Sequence, residues 1–412
     1  MLLSRRTQPS PLARIGGEGW GEGASAREPL AIYIHWPFCR SKCPYCDFNS
    51  HVREGVDWAR WTHALIADLE HQAALAPDRA VASIFFGGGT PSLMMPETVA
   101  ALVARVKALW PVAADLEVSL EANPNSAEAE RFAGFAAAGI NRLSLGIQAL
   151  DPAALRFLGR GHDRDEAIAA IRLARASFAR YSFDLIYARP GQTVEAWAAE
   201  LEGALGLAGE HLSLYQLTIE RGTKFFAEHA RGAIALPVEE AAAEMFEQTQ
   251  ARLAQAGLPA YEISNHARPG AACRHNLIYW RYQDYVGIGP GAHGRFADSA
   301  DRGVAKRATR RTSGPEAWLE AVERGGHGTA ETSLIVGQDL VEEALMMGLR
   351  LADGIDRSLF ASMTGAEPVA ALGEARLASL VAAGYLEVDA THLKATAAGR
   401  QRLNALLERL IA

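Results

Sequence analysis

The residue pattern predicts an α/β protein: a parallel sheet curved into a partial (β/α)6 barrel, with a smaller, winged-helix-like α-rich domain at the C-terminus. Three observations predict it. Six short β-rich runs are each followed by an amphipathic helical run. The unusual residues fall at the C-terminal ends of those runs, where parallel α/β folds carry their sites. After about residue 265 the alternation stops, and a compact helical unit begins near residue 338.

Residues 1–29 are Gly-rich, with Gly16, Gly17, Gly19, Gly21 and Gly23, and lack the apolar stretch and cleavage site of a signal peptide. They read as a disordered extension; a misassigned start would look the same. The core is expected over 30–265. Its first strand, 30–36, leads into Cys39, and the second, 83–86, into Gly87-Gly88-Gly89-Thr90. Strands at 116–121 and 142–147 end at Glu121-Ala122-Asn123 and Gly146-Ile147-Gln148. The strand at 182–187 carries Asp184, and that at 211–217 ends in Gln216-Leu217-Thr218. Helical spacing fills 57–75, 96–109, 127–138, 164–177, 194–207 and 238–256; Trp61, Leu65 and Leu69 share one face. An open doubly wound sheet has the same periodicity. Six polar or Gly-rich ends converging on one rim favour the barrel.

Residues 266–337 read as a connecting segment rich in Gly, His and aromatics, with a basic loop over 300–314. In 338–412, helices are expected over 340–351 and 371–383, a hairpin over 384–394 and a last helix over 397–410. This unit has seven Lys/Arg against ten Asp/Glu, so it is not a DNA-reading wing.

Composition narrows the function. The 412 residues are 49% hydrophobic and 22% charged, ordinary for a globular protein. A net charge of −7 argues against nucleic acid as a partner of the whole surface. No apolar run approaches the ~18–20 residues of a membrane helix. Four cysteines in so long a chain are no disulfide framework, and a reducing, cytoplasmic setting follows.

Three of those cysteines form Cys39-x-x-x-Cys43-x-x-Cys46 directly after the first strand. Three thiolates at this spacing hold three corners of a [4Fe–4S] cube and leave the fourth iron open to a small molecule, here S-adenosylmethionine (SAM). The competing reading is zinc with His35 or His51 as fourth ligand, but no second short cysteine arm is visible. The glycines at 87–89 let a ligand approach the backbone; a plain tight turn would use them too. Glu121 offers two oxygens to ribose hydroxyls. Gln148, Arg160 and Asp184 are each bland alone, although Arg160 suits a bidentate carboxylate. Cys273, His275 and His293 sit in aromatic or Gly-rich surroundings and include residue types that ligate haem iron; each taken alone reads first as structural.

Together, the segments Tyr33-Ile34-His35-Trp36-Pro37-Phe38-Cys39, Cys43-Pro44-Tyr45-Cys46-Asp47-Phe48-Asn49-Ser50, Phe86-Gly87-Gly88-Gly89-Thr90-Pro91-Ser92, Ser144-Leu145-Gly146-Ile147-Gln148, Asp184-Leu185-Ile186-Tyr187 and His275-Asn276-Leu277-Ile278-Tyr279-Trp280 resemble the radical SAM proteins related to oxygen-independent coproporphyrinogen III oxidase. Within them the chain is most similar to the haem chaperone branch. The oxidase has a further cysteine two positions after the third; here it is Phe48, which counts against coproporphyrinogen oxidation. The resemblance implies that Cys39, Cys43 and Cys46 bind the cluster. It implies SAM contacts from Tyr33, Tyr45, Gly88, Gly89, Thr90, Glu121, Gln148, Arg160 and Asp184. It also implies haem as cargo, respiratory membrane proteins as recipients with transient membrane association, and a cluster needed for transfer or for homodimer formation.

Overall fold

The computed structural model describes residues 28–298 and 305–411. The expected extension lies outside these residues, apart from Glu28 and Pro29, which belong to the first strand. β1 (Glu28–Trp36) continues into β2 (Phe38–Cys39), which pairs in parallel with β3 (His51–Val52) as a small separate unit. Next to β1 lies β4 (Arg79–Gly88), then β5 (Val112–Ala122), β6 (Arg142–Gln148), β7 (Arg180–Tyr187) and β8 (His211–Gln216), all parallel. These are the six expected strands, most extended by a few residues at their polar starts. The crossovers are helical, among them α1 (Trp58–Leu75), α2 (Pro96–Leu109), the short α3 (Ser126–Ala129) and α4 (Phe132–Ala137), α5 (Pro152–Phe157), α6 (Arg164–Ser177), α7 (Val194–Leu207), α8 (Lys224–Ala230) and α9 (Glu239–Gln255).

Local chemistry sets the helix starts. Asp57 accepts the Arg60 amide at α1, and Asp163 with Glu166 forms a capping box at α6. The helix expected over 127–138 is broken into α3 and α4. Glu128 turns inward, fully buried, where it accepts the Ser92 hydroxyl and the Asn123 amide. The backbone bends around that carboxylate instead of continuing.

The larger difference lies in 266–337, which is not merely connecting chain. β9 (Asn265–Ala267) closes one edge antiparallel to β8. After α10 (Arg274–Trp280), β10 (Asp284–Ile288) pairs in parallel with the free side of β1. β11 (His293–Ala297), β12 (Ala305–Arg311) and β13 (Thr329–Val336) follow antiparallel, with α11 (Pro315–Gly325) between the last two. The result is one open sheet of eleven described strands, with the parallel strands at its centre. β12 was hidden by its charge, reading Ala-Lys-Arg-Ala-Thr-Arg-Arg. Lys306 is buried on Asp284, Arg311 on Asp68, and Arg307 pairs with Asp298, so the cations are compensated inside the fold.

The main core lies between the sheet and its crossover helices, with Trp36, Trp61 and Trp318 buried side by side. A second core gathers α12 (Gln338–Gly348), β14 (Ile355–Asp356), α13 (Arg357–Thr364), α14 (Pro368–Leu372), α15 (Glu374–Ala382), β15 (Leu386–Val388), β16 (His392–Ala395), α16 (Ala397–Gln401) and α17 (Leu403–Ile411) around Leu345, Phe360, Leu386, Leu393 and Leu406. The hairpin is as expected, but Gly373, at φ +85°, splits the helix over 371–383, the last helix breaks at Arg402 into α16 and α17, and α13 is an additional helix. Tyr282 and Ile335 join this second core from the sheet extension.

Candidate cluster and cofactor site

The β2–β3 pairing clamps the ends of the cysteine loop, and within it Cys46 N–H bonds back to the Cys43 carbonyl at 3.2 Å. The loop stands at the C-terminal rim of the parallel strands. Thr90 donates its hydroxyl to Cys39 Sγ and Arg160 Nη1 donates to Cys43 Sγ, both at 3.3 Å. Cys46 Sγ lies 3.6 Å from the Ser50 hydroxyl. Burial pushes the Cys39 thiol up, while the Thr90 hydrogen bond favours its thiolate. The three thiols border one cavity of about 300 Å³.

The glycine run has a more specific cause than open access for a ligand. At Gly88 (φ +111°) a Cβ would sit 2.5 Å from the His35 ring, and at Gly89 one would sit 2.8 Å from the Phe38 carbonyl. The missing side chains make room for the cysteine-bearing strand itself, so that β1–β2 can lie against the end of β4. His35 is spent in the same packing: its Nε2 donates to the Asn49 carbonyl at 2.9 Å and its Nδ1 accepts from Tyr33 Oη at 3.1 Å. Both nitrogens are used, which removes His35 as a zinc ligand. His51 is exposed and bonds to Asn49. Among the described residues, no three His, Cys, Asp or Glu side chains converge as a single metal ion requires. A cluster instead takes one thiolate at each of several separate corners.

The opposite wall is carboxylate and amide. Glu121, at the end of β5, accepts Gly88 N–H at 3.2 Å. Burial, then the charge of Asp184, raises its carboxyl to about 8, against the pull of that N–H. Asp184 is registered with Ser213 on β8; burial raises it to about 6, and its Oδ1 has no hydrogen-bond partner. Arg160 is the keystone of the rim. Besides Cys43 it binds the Gly146 carbonyl at 2.7 Å and the Asn123 side chain, while its Nε is left without a partner. Gln148 is held at φ +69°, a non-glycine in the left-handed region, where the β6–β7 register slips. Tyr45, Gly88, Gly89, Thr90, Glu121, Gln148, Arg160, Asp184 and the three cysteines all line the cavity. Tyr33 is not in that lining; it stacks on Phe85 behind it.

The sequence reading missed Asn123, Ser144, Gly146 and His162 in the lining. Asn123 had a signal, since it ends the third strand run, and it bridges Thr90 to Arg160. Ser144 and Gly146 alternate on the inward face of β6. His162 donates to the Ile147 carbonyl at 3.1 Å and, through burial and the Arg160 charge, is lowered to about 4.

The His275 segment lies elsewhere. α10 crosses beneath the barrel, where His275 is 2% exposed, bonds Ser83 at 3.0 Å and stacks on Phe85. Burial lowers it to about 3. Cys273 is buried with its thiol on Glu117 at 3.4 Å, and burial pushes it up to about 12. Neither has a face on the surface. His293 is exposed on β11.

The donor set therefore fits an iron–sulfur cluster: three thiols on one loop around a cavity whose far wall keeps an unpartnered carboxylate oxygen and guanidinium nitrogen. Comparison with known proteins agrees. The model of the Radical SAM superfamily matches residues 33–202, and that of the HemN C-terminal domain matches 337–402. The heme chaperone HemW of Escherichia coli is 38% identical over 93% of this chain and 98% of its own length. The chain belongs to the HemN/HemW family of radical SAM proteins. In this family the mitochondrial radical S-adenosyl methionine domain-containing protein 1 of Bos taurus is 44% identical over 81% of this chain and 75% of its own. The HemN structure from E. coli, a coproporphyrinogen III oxidase, superposes with a TM-score of 0.76 over 94% of this chain and 91% of that one, at 23% identity. A radical SAM domain implies a [4Fe–4S] cluster and SAM, and its matched span holds every thiol and lining residue of the candidate site named above.

Proposed function

We propose that the protein is a haem chaperone: it binds haem as cargo, carries a [4Fe–4S] cluster on Cys39, Cys43 and Cys46, and passes haem to respiratory proteins of the membrane from the cytoplasm by transient contact. The observation that carries this is its similarity to the E. coli heme chaperone HemW over nearly the full length of both chains. Phe48 in the cysteine loop supports it, because the oxidase motif has a cysteine there.

In this reading a bound cluster supplies an open iron and one-electron reducing power. The chain's own residues do the rest. Thr90 donates a hydrogen bond that favours the Cys39 thiolate, and Arg160 holds Cys43 Sγ in place by another. Glu121 and Asp184 offer carboxylate oxygens to the hydroxyl and ammonium groups of SAM, with Gln148 and the 88–90 backbone completing the wall. Tyr33 positions His35, and through it the loop, rather than touching the ligand. Haemin titration of the anaerobically reconstituted protein tests the proposal: a saturable Soret shift is expected, and its absence would remove haem delivery. Incubation with SAM, reductant and coproporphyrinogen III is expected to give no protoporphyrinogen; turnover would make the protein an oxidase instead.

A further inference from the structure

We propose that Phe48, Arg40 and Lys42 of the cysteine loop form the recognition site for the flat, dianionic tetrapyrrole. The macrocycle lies on the Phe48 ring, and its two carboxylates face the two cations. This rests on the haem reading above. Phe48 is 60% exposed, well above the other exposed Phe and Tyr side chains of the described residues, Tyr215 and Phe226 at 40%. Among the described residues no ring–ring contact covers it, whereas Phe38 at the start of the loop is packed against Trp36 and Trp61. An exposed phenyl face is a stacking surface of the size and polarity a porphyrin needs.

The loop presents that ring rigidly. Ser50 N–H bonds the Phe48 carbonyl at 2.7 Å. Asn49 Nδ2 donates to the Pro290 and Ser313 carbonyls at 3.0 and 2.9 Å, while the Asn49 carbonyl accepts from His35. The chain on the C-terminal side of Phe48 is thus tied down, which lowers the ordering cost of stacking. Arg40 and Lys42 line the same cavity as Phe48 and the three thiols. Among the described residues no acid pairs with either. Arg53, just past β3, is by contrast engaged by Glu316. The chain is net negative, so two uncompensated cations beside an exposed ring are a local inversion that matches a dicarboxylate. Recognition through ring face and carboxylates does not require the iron, and the buried Cys273 and His275 offer it no ligand on this rim.

The test titrates the full-length, cluster-reconstituted protein with haemin, metal-free protoporphyrin IX and its dimethyl ester, following Soret and fluorescence changes. Haemin and free protoporphyrin are expected to bind with similar affinity. Phe48→Ala is expected to weaken both about tenfold, with Phe48→Trp restoring binding. The double variant Arg40→Glu/Lys42→Glu is expected to weaken both diacids while leaving the ester unchanged. Cluster absorbance should be the same in all variants. Wild-type haemin binding that none of these variants alters, or that excludes the metal-free porphyrin, overturns this site and leaves the chaperone reading standing. No haemin binding by the wild type overturns both.

Discussion

Glu117 and Glu121 lie four residues apart on one strand, face the same interior and meet opposite fates. At Glu117, burial raises the carboxyl, but Arg142, Arg180 and the amides of Arg274 and His275 more than reverse it and hold it below the ordinary range. Arg180 meets it at 2.7 Å, and Cys273 and the His275 amide donate to it. At Glu121 only one amide opposes burial and the Asp184 charge, and the carboxyl rises to about 8. The base of the barrel is an ionic knot in which the carboxylate charge is compensated, although His275 Nε2 beside it has no partner. The rim is an open one, with polar atoms left unpaired beside three thiols. A buried carboxylate alone does not mark a site; one left without a counter-charge beside three thiols and an unpartnered guanidinium nitrogen does.

The sharpest way to break this contrast is through the cysteines. Cys39→Ala, Cys43→Ala or Cys46→Ala should each abolish the brown cluster chromophore of anaerobically purified protein, while Cys273→Ala keeps it. Loss of the chromophore in the Cys273 variant would mean that base and rim are not functionally distinct. Next in size is the knot itself. Glu117→Gln leaves Arg142, only 3% exposed, without its counter-charge and should lower unfolding free energy by ~3 kcal/mol in urea titration. A loss as large from Glu121→Gln would show that the rim is structural too.

How legible this was in the sequence follows the same division. Rim residues sit at strand ends beside glycines and cysteines, and local pattern exposes them: Thr90, Glu121 and Arg160 were all nameable. Ser144 was missed because a short polar residue on an inward strand face looks like any other until register brings it to its neighbours, and Asn123, just past the end of β5, was passed over for the carboxylate of Glu121 beside it. The knot was not legible, because Glu117 meets Arg142, Arg180 and Cys273 only through tertiary pairing. The same holds for β12, where buried Lys306 and Arg311 imitate a solvated loop until Asp284 and Asp68 are placed against them. Of the residues in the His275 segment, His275 and Cys273 turned out to serve the base.

A smaller effect separates the two ends by pH. Raised carboxyls bind protons more tightly in the folded chain than in the unfolded one. Their stabilisation is complete below the ordinary carboxyl range and is lost as pH rises through about 6 for Asp184 and about 8 for Glu121. Buried histidines lowered to about 3 and 4, such as His275 and His162, add stability as pH rises to about 6.5, so it is above that range, through about pH 8, that ligand-free protein should lose thermal stability, and Glu121→Gln should flatten that slope. Glu117, already ionised, contributes in the other sense: its stabilisation is present above the ordinary carboxyl range and lost in acid.

The last expectation concerns what a ligand does to the open end. Hydroxyl or ammonium donors from SAM would favour the ionised form of Glu121, supplying the compensation that Arg142 and Arg180 give Glu117. Binding must then expel a proton wherever the free site is still protonated, below about 8. Calorimetric titration with SAM at pH 6.5, in two buffers of different ionisation enthalpy, should give heats that differ by up to about one proton per site. The difference should vanish above pH 9 and shrink in Glu121→Gln. Equal heats in both buffers at pH 6.5 would mean that Glu121 stays neutral in the complex, donating rather than accepting, and that the rim is not completed by its ligand in the way the base is completed by its own arginines.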